Sequence, residues 1–466
     1  MGGSGALLPF RGLRFRPDQP GGLAGTIGPA ADLDSSAEAR AFARNRPHSA
    51  VWLEVEDEAE GLHFGAARSL LDAWRDEHTL FIEDAPAYYV YEHEFDDQGV
   101  RRIRRGIFGL VPLDAPDVCV LPHEETWEEN RRRRLQLLRD LDASISPVFL
   151  IYDPSETDTS PRRLLDEITH DEPDARATDD VGDVHRLWVV ADPSIVTAVA
   201  EAMRGQHYII ADGHHRFAAA QLYHRERVMP ETSFVLAYCV DANDPGVVIR
   251  PIHRLVTHRD ALDWIAAVGP LHEWFEIATE PVGNRGGDEL LRTLGDGELP
   301  VAGVVVNDGL TFARLTLRSW ESAEQLLPDE LSKSAKTLDV SVVTELVIRR
   351  ALDISANAES SAVSFLTNAD DVVSGVRHDG GIGILMRPIR LRQVLAVARA
   401  HAKVPAKSTS FVPKVPIGLV MHQFRVPSSQ FSLEVDASRR QAIAMAPEPA
   451  VLHALGTRNS ELETGS

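Results

Sequence analysis

His207-Tyr208-Ile209-Ile210-Ala211-Asp212-Gly213-His214-His215-Arg216-Phe217-Ala218-Ala219-Ala220 runs from a short apolar strand through a tight turn into an alanine-rich helix start. The apolar run predicts a strand over 208–211 and helical spacing predicts a helix over 217–227. Gly213 lets the chain turn sharply and lets a ligand come close to the backbone. The helix start offers unpaired N–H groups and the positive end of a dipole. With His214, His215 and Arg216 beside Gly213, this is a phosphate cradle in outline. Arg216 can grip a phosphate in bidentate fashion and His215 can donate one further bond. A plain strand–turn–helix with exposed histidines accounts for the same residues without a ligand. Asp212 has two readings: a turn residue, or a carboxylate that helps hold Mg2+ beside the phosphates.

The chain has 466 residues, enough for two or three domains with large cores. Its 44% hydrophobic and 25% charged content is ordinary for a soluble globular protein. The net charge of −22 opposes general binding to nucleic acid or an anionic membrane. A phosphorylated ligand therefore needs a local basic pocket. Two cysteines, Cys119 and Cys239, show no metal-ligand spacing and suit a reducing cytosol, so a cytoplasmic location is expected. The first residues lack the pattern of a signal peptide, and no apolar run approaches the ~18 residues of a membrane span.

Further along, a short strand is expected within 8–15, a helix over 37–45, a strand over 51–55 and a helix over 65–77. Segments 87–95 and 102–111 read as a strand pair, and 124–141 as a long charged helix. Strands follow over 147–152 and 185–190, separated by an acidic loop at 171–183, then over 233–240 and 247–249. Beyond 258 the pattern changes to longer helix–strand alternation, with helices over 261–268, 287–293, 340–351 and 391–402. A hairpin over 301–306 and 310–317 turns at Asp308-Gly309. The mixture predicts an α+β (mixed α/β) protein: a first region over 1–258, a second α/β domain over 259–456 and a disordered tail over 457–466.

His123 and Glu124 precede the charged helix. Either can take a proton from an acceptor hydroxyl; alternatively Glu124, with Glu125, Glu128 and Glu129, is simply an acid favoured by a helix dipole. Arg131 to Arg134 point all round a helix and read better as a solvated face paired with Glu128 and Glu129. Lys407, Ser408, Thr409 and Lys414 share a proline-bounded loop, 403–417, that can close over a nucleotide or substrate or serve as an ordered surface loop. His170, His224, His253, His258, His378, His401 and His422 lack metal-ligand spacing and read as structural or surface residues.

Gly213-His214-His215-Arg216 resembles the phosphate motif of the ParB/sulfiredoxin superfamily, which reads Gly-Cys-His-Arg in sulfiredoxin and Gly-Glu-Arg-Arg in ParB partition proteins. His214 stands where sulfiredoxin has its reactive cysteine, which argues against sulfinic acid reduction. The acidic charge and the lack of a basic helix-turn-helix argue against DNA partitioning. Free serine kinases of that superfamily carry a similar motif and move a phosphoryl group from a nucleotide to serine. The chain resembles more closely the domain-of-unknown-function family 1015 over nearly its whole length. Pro9-Phe10-Arg11-Gly12-Leu13-Arg14, Pro122-His123-Glu124-Glu125-Thr126, Ser146-Pro147-Val148-Phe149-Leu150-Ile151-Tyr152, His185-Arg186-Leu187-Trp188-Val189, Leu338-Asp339-Val340 and Val404-Pro405-Ala406-Lys407-Ser408-Thr409-Ser410-Phe411-Val412-Pro413-Lys414 carry the match, in that order. Where members have Pro-Pro-Tyr-Asp, this chain has Gly28-Pro29-Ala30-Ala31-Asp32, so specificity can differ here.

The resemblance implies a ParB/sulfiredoxin-like nucleotide-binding core and a kinase acting on a small hydroxylated substrate such as serine. ATP or ADP phosphates would lie on Gly213, His214, His215 and Arg216, with Mg2+ at Asp212. Glu124, with His123, would serve as base, and Lys407, Ser408, Thr409 and Lys414 would contact substrate. The expected partners are that metabolite and a second copy in a homodimer, with no nucleic acid or membrane. A nucleotide-binding or hydrolysing switch protein, acting on a protein partner, is the alternative.

Overall fold

The strand Tyr208–Asp212 lies inside a mixed sheet, between a short parallel neighbour, Val120–Leu121, and an antiparallel one, Val148–Tyr152. The structure, a computed structural model, describes residues 7–424 apart from 32, 34, 57–61, 115–119, 155–160, 258 and 307–308. Among these residues the first sheet has eight strands. From Val148–Tyr152 it continues through Phe234–Asp241, Val100–Pro112, Tyr88–Asp97 and Val184–Val190 to the edge strand Ala175–Thr178. Val148–Tyr152 is buried at every position, as expected of a strand covered on both faces. Tyr89, Tyr91, Phe108, Phe149 and Tyr238 form an aromatic core on one face. Phe108 and Tyr238 approach to 5.0 Å between ring centroids, within the range where aromatic pairs attract.

A second sheet is antiparallel throughout, in the order Phe275–Pro281, Thr311–Leu317, Val301–Val306, Ile382–Met386, His253–Val256, Val363–Leu366. The chain then pairs with segments that flank the first sheet. Val404 bridges Glu124, Ser410–Val412 pairs with Val248–Arg250, and His422–Gln423 pairs with Ala143–Ser144. Two mixed or antiparallel sheets with flanking helices make the protein α+β. The described residues fall in one unit. The expected tail at 457–466 falls outside the described residues, as do the hairpin's turn residues 307 and 308. Among the described residues no helix is long and apolar enough to cross a membrane.

Several expected elements differ. The segment 51–55 is no strand but a tight 3-10 turn, Ala50–Glu54, whose first turn is capped by the Ser49 hydroxyl at 3.4 Å from the Val51 N–H. The charged helix begins at Glu128, because Glu124 and Glu125 are committed to Val404: the Glu125 N–H donates to its carbonyl at 3.1 Å. The acidic loop contains the edge strand Ala175–Thr178. Arg133 and Arg134 pair with Glu56 and Glu54 across the fold. Cys239 is a free, buried thiol.

Gly106 sits where two central strands leave no room: an added Cβ would lie 2.6 Å from the Cys239 carbonyl oxygen. Gly106→Ala is expected to destabilise the fold by about 1–3 kcal/mol. Denaturant unfolding checks this, and an unchanged midpoint would contradict the packing described.

Candidate functional site

At the end of strand Tyr208–Asp212 the structure opens into a cleft of about 510 Å³, a size that suits a small ligand. Asp212, Gly213, His214 and His215 line one side, Lys407, Thr409 and Lys414 another, and Glu124 lies between them. Phe365 and Leu366, from the edge of the second sheet, and Asp96, Asp97 and Asp183, from the first, complete the walls. Residues more than 300 positions apart in sequence meet here.

Gly213 has φ 96°, and a Cβ there would press to 2.9 Å from Arg216 Nε. Only glycine takes this conformation without strain. Gly213 is the N-cap of helix His214–Glu226 and supplies no side-chain cap. The first helical N–H with a backbone acceptor is that of Phe217, onto the Gly213 carbonyl. The amides before it are free to meet an anion, as helix starts do.

The two histidines act otherwise than as plain phosphate donors. His214 Nε2 accepts the His123 N–H at 3.3 Å, and His215 Nε2 accepts the Trp127 N–H at 3.0 Å. An accepting Nε2 places the single proton on Nδ1, so both rings are neutral. Burial pushes His214 well below the usual imidazole range, helped by His123. Burial, then the charge of Lys407, lowers His215 to about 4. The pair stitches the helix start to segment 123–127. Arg216 does not line the cleft; its Nη2 pairs with Asp212 Oδ2, and its guanidinium lies beneath Gly213. Lys414 Nζ takes the other Asp212 oxygen at 2.8 Å. Burial raises the Asp212 carboxyl, but Lys414 and Arg216 outweigh it and hold the group far below the carboxylate range.

Glu124 is only 8% exposed. Its Oε1 accepts both the N–H of Thr409 at 2.7 Å and its hydroxyl at 2.5 Å. Burial dominates and raises its carboxyl, against the pull of Thr409, Lys407 and Lys414. His123 Nε2 lies 2.9 Å from Thr409 Oγ1. Because that hydroxyl gives its proton to Glu124, His123 Nε2–H is the donor. Ser408 turns inward and donates to the Pro405 carbonyl at 2.5 Å, so it closes the loop.

Sequence reasoning missed Arg254, which is 1% exposed and donates from Nη2 to the Lys407 carbonyl at 3.2 Å. Lys407 is in the left-handed region, with φ 57°, and Arg254 holds that turn. Ala30 and Ala31 line the cleft, and the Ala30 carbonyl accepts the Lys414 N–H at 2.8 Å. The departure at 28–32 thus touches the site. Among the described residues no cluster of three His, Cys, Asp or Glu could hold a metal. Both Asp212 oxygens are already held by cations, so it does not fit the role of a resident metal ligand.

His123, His214 and His215 are neutral in the fold, whereas unfolded histidines titrate near 6.5. Below that pH the unfolded chain takes up protons that the native state refuses, so stability present above pH 6.5 is lost as the pH falls toward about 4. Buried His253 and His422 add to the same slope. The readout is therefore a difference: His215→Gln, which retains an acceptor, is expected to flatten the loss by up to about 1.4 kcal/mol per pH unit. Parallel slopes from urea unfolding at several pH values would contradict a neutral His215.

Among solved structures, a conserved hypothetical protein from Pyrococcus furiosus has a TM-score of 0.34 at 11% identity, covering 66% of this chain and 93% of that one. A variant of free serine kinase in complex with ADP has a TM-score of 0.36 at 11% identity, covering 67% and 92%. C-terminally truncated SbnI from Staphylococcus aureus has 0.35 at 11%, covering 72% and 93%. Likenesses this distant carry no conclusion about activity. No curated protein matches the sequence. The sequence does match the family described as protein of unknown function (DUF1015) over residues 7–341. That span includes the whole 207–220 tract and covers well over half of the molecule, and the chain belongs to the DUF1015 family.

Proposed function

We propose that the protein is a nucleotide-dependent phosphotransferase that moves a phosphoryl group from ATP or ADP to the hydroxyl of a small metabolite such as serine. One observation carries this reading: the uncapped helix start after Gly213 and the cations Lys407 and Lys414 share a cleft with Glu124, a buried carboxyl pushed up in pKa. Phosphoryl transfer needs little covalent help; it needs the phosphates held, their charge neutralised and the acceptor hydroxyl aimed. The helix amides and lysines hold and neutralise. Glu124, whose carboxyl burial raises above its ordinary range, is placed to receive a proton. Asp212 keeps Lys414 in place and, through Arg216, supports the turn. Magnesium enters on this reading with the nucleotide, as a counter-ion to its phosphates, and no step here depends on a protein-built metal site.

Two variants separate the roles. Glu124→Gln is expected to keep ATP affinity by calorimetry and to lose turnover by about 10²–10⁴, followed by phosphorus NMR with a panel of amino acids and polyols. Retained turnover would remove Glu124 as base. Lys407→Met is expected to weaken ATP binding about tenfold, some 1.4 kcal/mol, and unchanged affinity would remove Lys407 from the phosphate site. In the same NMR assay a new phosphomonoester supports transfer. Inorganic phosphate alone indicates a hydrolysing switch.

A further inference from the structure

Within the loop that closes the cleft, Thr409 differs from its neighbour Ser408. Ser408 is 4% exposed and spends its proton on the Pro405 carbonyl. Thr409 lines the cleft and directs its proton at a carboxylate, Glu124 Oε1, at 2.5 Å. Its oxygen receives His123 Nε2–H at 2.9 Å. A hydroxyl oxygen has two lone pairs; one takes the imidazole proton and the other is left for an electrophile. The backbone N–H of Thr409 also binds Glu124 Oε1, at 2.7 Å, which pins base and hydroxyl to each other. Nucleophile, base and a third orienting group within hydrogen-bond reach make the arrangement of an activated nucleophile. Lys407 and Lys414 flank it in the same loop and line the same cleft.

We propose that Thr409 is itself a phosphoryl acceptor, so that the protein phosphorylates its own cleft. The inference rests on the nucleotide reading above and goes beyond it by naming a covalent site. Thr409 Oγ attacks the terminal phosphorus of the bound nucleotide, and an O–P bond forms. The bond from that phosphorus to the bridging oxygen breaks, and the shortened nucleotide leaves with the electron pair. The hydroxyl proton passes to Glu124 Oε1. Phosphothreonine at this position can then be hydrolysed or give its phosphoryl group to a small hydroxyl that enters the cleft.

The test incubates the full chain with magnesium and either ATP or ADP labelled in the terminal phosphate, followed by peptide mass spectrometry. The expected result is one added HPO3 on the peptide containing Thr409. Thr409→Ser keeps the label at that position as phosphoserine, Thr409→Val loses it, and Glu124→Gln slows labelling about a hundredfold or more. Unchanged melting transitions show that the variants fold. With a panel of amino acids and polyols added, a small phosphomonoester formed as fast by Thr409→Val as by the unchanged protein overturns this proposal and leaves the phosphotransferase reading intact. Label on a different residue overturns it too. Neither nucleotide binding nor label overturns both.

Discussion

A carboxylate taken partly out of water cannot remain charged alone, and the arrangement of the cleft depends on how Asp212 meets that constraint. Its two oxygens are taken by Arg216, four residues on, and by Lys414, 202 residues on. The first contact folds the guanidinium beneath Gly213 and leaves no room for any other residue there. The second draws the returning segment across the end of the first sheet, and with it Lys407 and Thr409. Arg216 therefore supports the Gly213 turn from behind, while Lys414 joins the cleft from the far end of the sequence.

The same economy governs the histidines. Buried imidazoles stay neutral because burial penalises their charge, and neutrality leaves each an acceptor nitrogen. His214 and His215 use theirs on the backbone of 123–127, which fixes Glu124 opposite the helix start. Glu124 is in turn fixed by Thr409. On the anion-site reading, a chain of net charge −22 supplies its cations locally: Lys407, Lys414 and the helix start line the cleft, beside acidic walls of which Asp97 is paired with Arg102 and Arg250.

The tract at 207–220 could be read from sequence because its signals are local: an apolar run, one glycine and a helix start. The hairpin of Tyr88–Asp97 and Val100–Pro112 was legible for the same reason. Val51 and Leu53 mislead, since a short apolar segment capped by Ser49 suits a buried tight turn as well as a strand. The charged helix starts at Glu128 rather than at the expected 124 because the bridge that holds Glu124 comes from Val404, 280 positions later by number. Arg254 and Phe365 carry no local mark of a site. Phe365 reaches the cleft because the second sheet places its edge strand there, and Arg254, on the next strand, touches it only through the Lys407 carbonyl; periodicity within one segment holds no information about either contact.

A crystal structure of the protein with a non-hydrolysable ATP analogue tests the central claim most directly. The phosphates are expected against the amides that follow Gly213, with Lys407 and Lys414 on the terminal group and Glu124 facing the open side. Phosphates bound elsewhere on the molecule, or a cleft left empty at saturating analogue, would contradict it.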